Sequence, residues 1–272
     1  MSQATMTAPR PALIGTRPGM AALVRSEYRK LFGTKLWLWL WLGALGFTTL
    51  ATVFTILPEG SQNTDVPSLQ TDAGLHNLFA AAGAGSIFAV VLGAIGMTAE
   101  FRHLTATPTF LATPHRGRVV IAKLITYATT GLVYGVTCVA LVLAIALPWL
   151  PAKEADVSLT SHGIPAVLIA AVAIVGIYAL LGVGIGALIR NQIAAVVGTL
   201  IYLFVLEGLI SNIPGIRDYY KWFPGGAAAA LGQQFSQRAN LLEPWQGGLV
   251  LVGYGLAFAI AGTFLAVRRD VS

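Results

Sequence analysis

The chain has 272 residues, of which 56% are hydrophobic and only 10% charged, with a mean hydropathy of +0.74 and an isoelectric point near 9.7. A soluble domain carries about 25% charged residues, so this composition excludes an ordinary soluble fold and indicates an integral membrane protein. A single cysteine, Cys138, excludes an internal disulfide and any multi-cysteine metal site, and the four histidines lack the spacing of a metal-binding helix.

The N-terminal stretch "MSQATMTAPRPALIGTRPG" is rich in Pro and Gly and lacks an apolar core. It reads as a flexible tail over 1–19 rather than a cleavable signal. In "MAALVRSEYRKLFGTK", Met20, Leu23, Val24, Tyr28, Leu31 and Phe32 recur at helical spacing, with Arg25, Ser26, Arg29 and Lys30 on the other face. This pattern predicts an amphipathic basic helix over 20–35 lying on the membrane surface, with Trp37, Trp39 and Trp41 following as belt residues. The charged positions singled out here are Arg25, Glu27, Arg29 and Lys30.

A bilayer crossing needs about 20 apolar residues. Six stretches qualify: 36–57, 77–99, 119–149, 162–189, 193–213 and 246–267. They predict one all-α, six-helix membrane domain over 36–267, closed by a short tail, 268–272. The third stretch exceeds one crossing and must tilt or extend past the lipid. The fourth and fifth are separated only by "RNQ" and form an antiparallel pair. All but four of the 17 Lys and Arg (Lys153, Arg217, Lys221 and Arg238) fall on the side of the N-terminus. That asymmetry predicts cytoplasmic N- and C-termini, and it makes the basic charge a topology signal rather than a sign of nucleic-acid binding. Small residues recur along the spans, among them Ala89, Gly93, Gly182, Gly184, Gly186, Ala194 and Gly198. Most serve close packing within the chain.

Between the second and third spans lies "EFRHLTATPTFLATPHRGR", 100–118. Thr107-Pro108 and Thr113-Pro114 each read as a helix cap followed by Pro at the first helical position. They bracket a short helix carrying Phe110 and Leu111, surrounded by Glu100, Arg102, His103, His115, Arg116 and Arg118. Two readings stay open from the residues alone. The apolar pair docks another protein, or it dips into the lipid interface. Glu100 and Arg102 either join that surface or brace the end of the second span.

Two segments, "VRSEYRKLFGTKLWLWL" (24–40) and "MTAEFRHLTATPTFLATPHRGRVVIAKL" (97–124), together with the six-span layout, give a family resemblance. The chain resembles the membrane (permease) subunit of a type-2 ATP-binding-cassette exporter. The resemblance implies an elbow helix at 20–34 and a coupling helix within 100–116 that docks on a separate ATPase subunit. The contact residues it points to are Glu100, Arg102, His103, Thr107, Pro108, Phe110, Leu111 and Arg116. It also implies that two such membrane subunits, identical or homologous, pair around a central path. The first, second and fifth spans are the expected interface, with Ala194, Ala195, Gly198 and Thr199 on the fifth; the alternative is that these four pack against the second span of the same chain. The chain has no G-x-x-x-x-G-K-[ST] phosphate loop, so it binds no cofactor itself, and ATP and Mg belong to the partner. It is expected to be non-catalytic, and the alternative function is an ATP-independent carrier.

The stretch 213–245 is long and holds Trp222, Phe223, Phe235, Trp245 and four consecutive alanines. It predicts a re-entrant or interfacial helical pair, with a sharp return at Gly225-Gly226 and a short helix over 227–235. Glu207 is the ionisable residue expected within a span, Lys123 being counted with the inside segment. Three roles compete for Glu207: lining a path with Phe204 and Thr199, anchoring the external helices through Arg217 or Lys221, or snorkelling to water. Ser211, one turn on, is a candidate hydrogen-bond partner.

Overall fold

The computed structural model describes residues 19–57, 67–102, 116–153, 163–234 and 240–268, and these are helical with no strand among them. Ten α-helices carry the fold: α1 (Met20–Phe32), α2 (Leu36–Ile56), α3 (Asp72–Ala80), α4 (Ser86–Arg102), α5 (Arg116–Trp149), α6 (Ile164–Ile189), α7 (Gln192–Ile201), α8 (Glu207–Asn212), α9 (Pro224–Leu231) and α10 (Pro244–Arg268). Among the described residues six segments are long and apolar enough to cross a membrane: Leu36–Ile56, Asp72–Glu100, Gly117–Trp149, Ile164–Ile189, Gln192–Asn212 and Pro244–Ala261. They point to a multi-pass membrane protein.

The second span starts earlier than its hydropathy predicts. Thr71 caps α3 by accepting from the Gly74 N–H at 3.2 Å, and Asp72 complements the helix dipole in the first turn. A 3-10 turn, Ala81–Gly85, then links α3 to α4. The third span, α5, has 34 residues, about 50 Å at 1.5 Å per residue, well beyond a bilayer core. Between the fourth and fifth spans, Arg190 takes a left-handed conformation at φ 55°, and the Asn191 side chain caps α7 by accepting from the Ala194 N–H at 3.0 Å. Two residues, Arg190 and Asn191, therefore suffice to reverse the chain.

The fourth span is the hub. It packs on the second, third and sixth spans, most extensively on the second. Backbone proximity makes that crossing: a Cβ on Gly93 would lie 2.2 Å from the Ala179 carbonyl oxygen, and one on Gly182 would lie 2.0 Å from that of Val90. Where lipid leaves little hydrophobic drive between helices, such close approach supplies the dispersion contact that holds them.

The first, fifth and sixth spans lie at the edge, each only 17% buried over its apolar window, against 72% for the second. The second span is the most enclosed of these six within the chain. On the fifth span, Ala195 and Thr199 are buried in contact with the second span, so they face the chain's own body. Ile193, Val197, Ile201 and Phe204 face outward, and Ala194 and Gly198 share that exposed side. On the first span, Trp41 donates to the Thr137 hydroxyl at 2.9 Å and the Tyr134 hydroxyl donates to the Trp37 carbonyl, which leaves Trp39 as the outward tryptophan.

Candidate functional site

Helix α1 meets the bundle through Leu23, Glu27 and Leu31, one residue per turn on its buried face. Arg25, Arg29 and Lys30 lie on the exposed part of its surface, as the amphipathic pattern predicts. Glu27 does not belong with them. It is 3% exposed and sits between two leucines on the face packed against α5.

A buried carboxylate needs a cation or several donors, because burial removes its water. Glu27 meets two lysines, one on each oxygen. Lys123 Nζ lies 2.5 Å from Oε2, and Lys30 Nζ lies 2.6 Å from Oε1. Glu100 completes the group, its Oε1 at 2.9 Å from Lys30 Nζ and 3.2 Å from Lys123 Nζ. Lys123 donates in addition to the Gly96 carbonyl at 3.2 Å. Two positive and two negative charges thus close on one another. Lys123 is 2% exposed and has a partner for each of its three donors. Gly96 also makes room for the Tyr127 ring, 5.9 Å from the ammonium, at the outer limit of a cation–π contact. Partial burial opposes the charge on Lys30, but Glu100 and Glu27 outweigh it and hold the ammonium above its ordinary range.

The elements joined are informative. Glu27 and Lys30 come from α1, Glu100 from the last turn of α4, and Lys123 from the third turn of α5. A carboxylate near a helix C-terminus is disfavoured by the helix dipole, so the lysines, and not capping, account for Glu100. Arg102, two residues on, donates to the Gln192 side chain at 3.3 Å, tying the end of α4 to the start of α7. Of the predicted contact residues, Glu100 and Arg102 both bond other elements of the chain at the end of the second span. His103, Thr107, Pro108, Phe110 and Leu111 lie outside the described residues; Arg116 opens α5. A cavity of about 400 Å³ opens beside the cluster, between α1, the start of α2, the end of α4 and α5.

Sequence reasoning placed Glu207 alone among ionisable residues within a span. Lys123, buried within α5, and Glu100, buried at the end of the second span, join it. The signal for the cluster was present in the Leu23–Glu27–Leu31 spacing, and in Lys123 standing among Val119, Val120, Ala122 and Thr126.

At the opposite end of the bundle Glu207 is buried, 6% exposed. Its Oε1 accepts from the Gly225 N–H at 2.8 Å, in the first turn of α9, and the Tyr202 hydroxyl is also bonded to the carboxylate. Helix α9 is anchored, but not by the expected cations. Neither Arg217 nor Lys221 pairs with Glu207 among the described residues, and Ser211 bonds the Gly208 carbonyl instead. Gly225 leaves room for this approach: a Cβ there would lie 1.9 Å from Glu207 Oε2, so the carboxylate would have to shift. The helix also starts at Pro224 and ends at Leu231, so Gly225 and Gly226 lie in its first turn rather than in the predicted return; Pro224 at the first position fixes that start. A 3-10 turn, Arg217–Trp222, precedes it. Residues 235–239 lie outside the described set.

A π-helical turn, Tyr202–Leu206, sets the direction of Glu207. Ala195 and Thr199 point inward, and an unbroken α-helix would bring Leu206 next to that face. The π-turn holds one extra residue. Glu207 takes the inward place, and Phe204, Val205 and Leu206 are left exposed.

Among the described residues no group of three or more His, Cys, Asp or Glu could hold a metal ion. No protein-family model matches the chain, and no curated protein matches it.

Proposed function

We propose that the chain is the permease subunit of a type-2 ATP-binding-cassette exporter. It moves substrate by alternating access, driven by a separate ATPase that binds ATP and Mg. One observation carries most of the reading. The ion cluster clamps α1 to both helices that flank residues 103–115, the predicted coupling segment. A push on that segment reaches Glu100 from one side and Lys123 from the other, and both are tied to Glu27. α1 and the ends of the second and third spans then move as one rigid body, which is how a local closure becomes a shift of whole helices.

The six apolar helices and the basic bias support a multi-pass protein of a bacterial plasma membrane with cytoplasmic termini. The exposed apolar faces of the first and fifth spans support pairing with a second copy or a homologous permease. Surrounding lipid is the remaining partner, and nucleic acid is not one. In the alternative, an ATP-independent carrier, Glu207 would be the group to cycle a proton. Its bonds to Gly225 and Tyr202 favour an anchoring role over a mobile one.

The test is copurification with a phosphate-loop ATPase encoded beside this chain. Replacing Phe110 and Leu111 with Asp should abolish it while membrane insertion persists. Transport by the purified chain in liposomes without any ATPase would overturn the permease reading.

A further inference from the structure

The cavity beside the ion cluster has two kinds of wall. One side is apolar, formed by Leu36, Trp37, Leu92 and Ile95. The other carries Glu27, Lys30, Glu100, Arg102 and Lys123, three cations against two carboxylates. We propose that this cavity binds an anionic membrane phospholipid, its phosphate held between Lys30 and Arg102 and its upper acyl chain laid along the apolar wall.

The donors left over after the cluster is satisfied lie at the cavity's polar side. Lys123 is wholly engaged. The Lys30 side chain is 46% exposed, and of its three donors two reach Glu27 and Glu100. Arg102 is exposed and has five N–H donors, with one bond to Gln192 among the described residues. An anion at this side meets a net positive charge and unused N–H groups. A small soluble anion would make no use of the apolar wall, and a hydrocarbon would leave the donors unmatched. An amphiphile satisfies both. A zwitterionic headgroup is disfavoured because its own ammonium would face Lys30 and Arg102.

The position agrees. The cavity lies where α1 ends and the first span begins, lined there by Thr34, Leu36 and Trp37, and a tryptophan at the start of a span is a usual mark of the headgroup level. Its volume, about 400 Å³, is that of a small-molecule site. Basic pockets between membrane helices at this depth are a recurrent way of holding anionic headgroups.

The experiment uses the full chain, purified in mild detergent and exposed separately to phosphatidylglycerol, phosphatidylethanolamine and inorganic phosphate. Bound adducts are counted by native mass spectrometry. Phosphatidylglycerol should be retained severalfold over phosphatidylethanolamine. Arg102→Gln, which removes one near-surface cation from an exposed position, should weaken that retention about fivefold. Ala99→Trp should fill the cavity and abolish it, with thermal stability of the same preparation checked in parallel. Equal retention of the two lipids overturns the proposal, as does retention that neither variant changes. Displacement of phosphatidylglycerol by inorganic phosphate at equal concentration would mark a plain anion site and overturn it too. No ATPase enters this measurement, so its failure is distinct from a failure of the permease reading.

Discussion

The two ends of the bundle bury carboxylates by opposite means. At the α1 end, Glu27 and Glu100 are neutralised by Lys30 and Lys123, each cation shared between both acids. At the α9 end, Glu207 meets no cation among the described residues and relies on the Gly225 N–H, the first-turn dipole of a short helix and the Tyr202 hydroxyl. The difference is mechanical as well as electrostatic. The four-charge cluster binds three separate elements, and removing any member leaves an uncompensated charge in a buried place. The Glu207 arrangement binds one short helix to one span, and neutralising the acid strands no cation. The first suits a part that must move as a unit, the second a part that can come away.

The largest effect should come from breaking the four-charge cluster. Lys123→Met leaves Glu27 and Glu100 with one half-exposed lysine between them. Removing one partner of a buried pair costs about 3–5 kcal/mol, enough to destroy most of the stability of many proteins. Fluorescence-detected size-exclusion after graded heating should show a collapse of the folded fraction. The double variant Lys123→Met with Glu27→Leu should recover much of the loss, because an apolar replacement of a buried pair is often close to neutral. Failure of the double variant to recover would show that the two residues act through packing and not through charge.

Gly225→Ala comes next. The added methyl would lie 1.9 Å from Glu207 Oε2, so either the carboxylate or α9 must retreat. Losing the bond while keeping the acid buried costs about 1–3 kcal/mol. In a Glu207→Ala background the same change should cost far less, with a coupling energy above about 1 kcal/mol. Independent, additive losses would contradict a direct contact.

Much of this architecture was legible in the sequence, and the part that was not has a physical reason. The six spans follow from apolar runs, the α1 helix from its 3.6-residue spacing, and the fourth-to-fifth reversal from three polar residues. Each of those signals is local. The ion cluster is not: Glu27 and Lys123 are 96 positions apart, and Lys30 and Glu100 are 70 apart. Nothing in a single sequence pairs them, although an acid between two leucines at four-residue spacing marks a buried charge in want of a partner. Glu207 shows a second limit. Its direction depends on one extra residue in a π-turn, and helical periodicity alone assigns the inward place to Leu206. The first and last turns of α9 were misplaced because Gly225-Gly226 looks like a reversal; its small size serves the approach of Glu207 and of the Tyr220 carbonyl instead.

Glu207→Gln sharpens the comparison from the other side. The amide keeps one oxygen for the Gly225 N–H, loses the charge and replaces the other oxygen with an NH2 that the Tyr202 hydroxyl can still meet as an acceptor. The expected loss is about 1 kcal/mol, the difference between a charge-assisted and a neutral hydrogen bond. Glu27→Gln, the same chemical change at the α1 end, should be several times worse, because it leaves Lys123 facing one carboxylate instead of two. Thermal stability of the two variants in one detergent decides the point, and equal losses would erase the distinction between the two ends.

The smallest effect is a pH dependence, and its sign follows from Lys30. The ammonium is favoured by Glu100 and Glu27 more than partial burial disfavours it, so its folded pKa lies above the ordinary lysine value of about 10.4. A group whose pKa rises on folding stabilises the fold fully below its unfolded pKa, and that contribution fades as pH climbs through the folded one. Stability should therefore be flat in this respect through neutral pH and decline above about pH 10.4. The loss is modest because nearly half of the Lys30 side chain is in contact with solvent, which screens the pair. The informative quantity is the difference between wild type and Lys30→Met, which removes every contribution the two share. That difference should shrink as pH rises past the lysine range. A difference that stays constant from neutral to strongly alkaline pH would assign Lys30 a packing role and leave the cluster with one working cation.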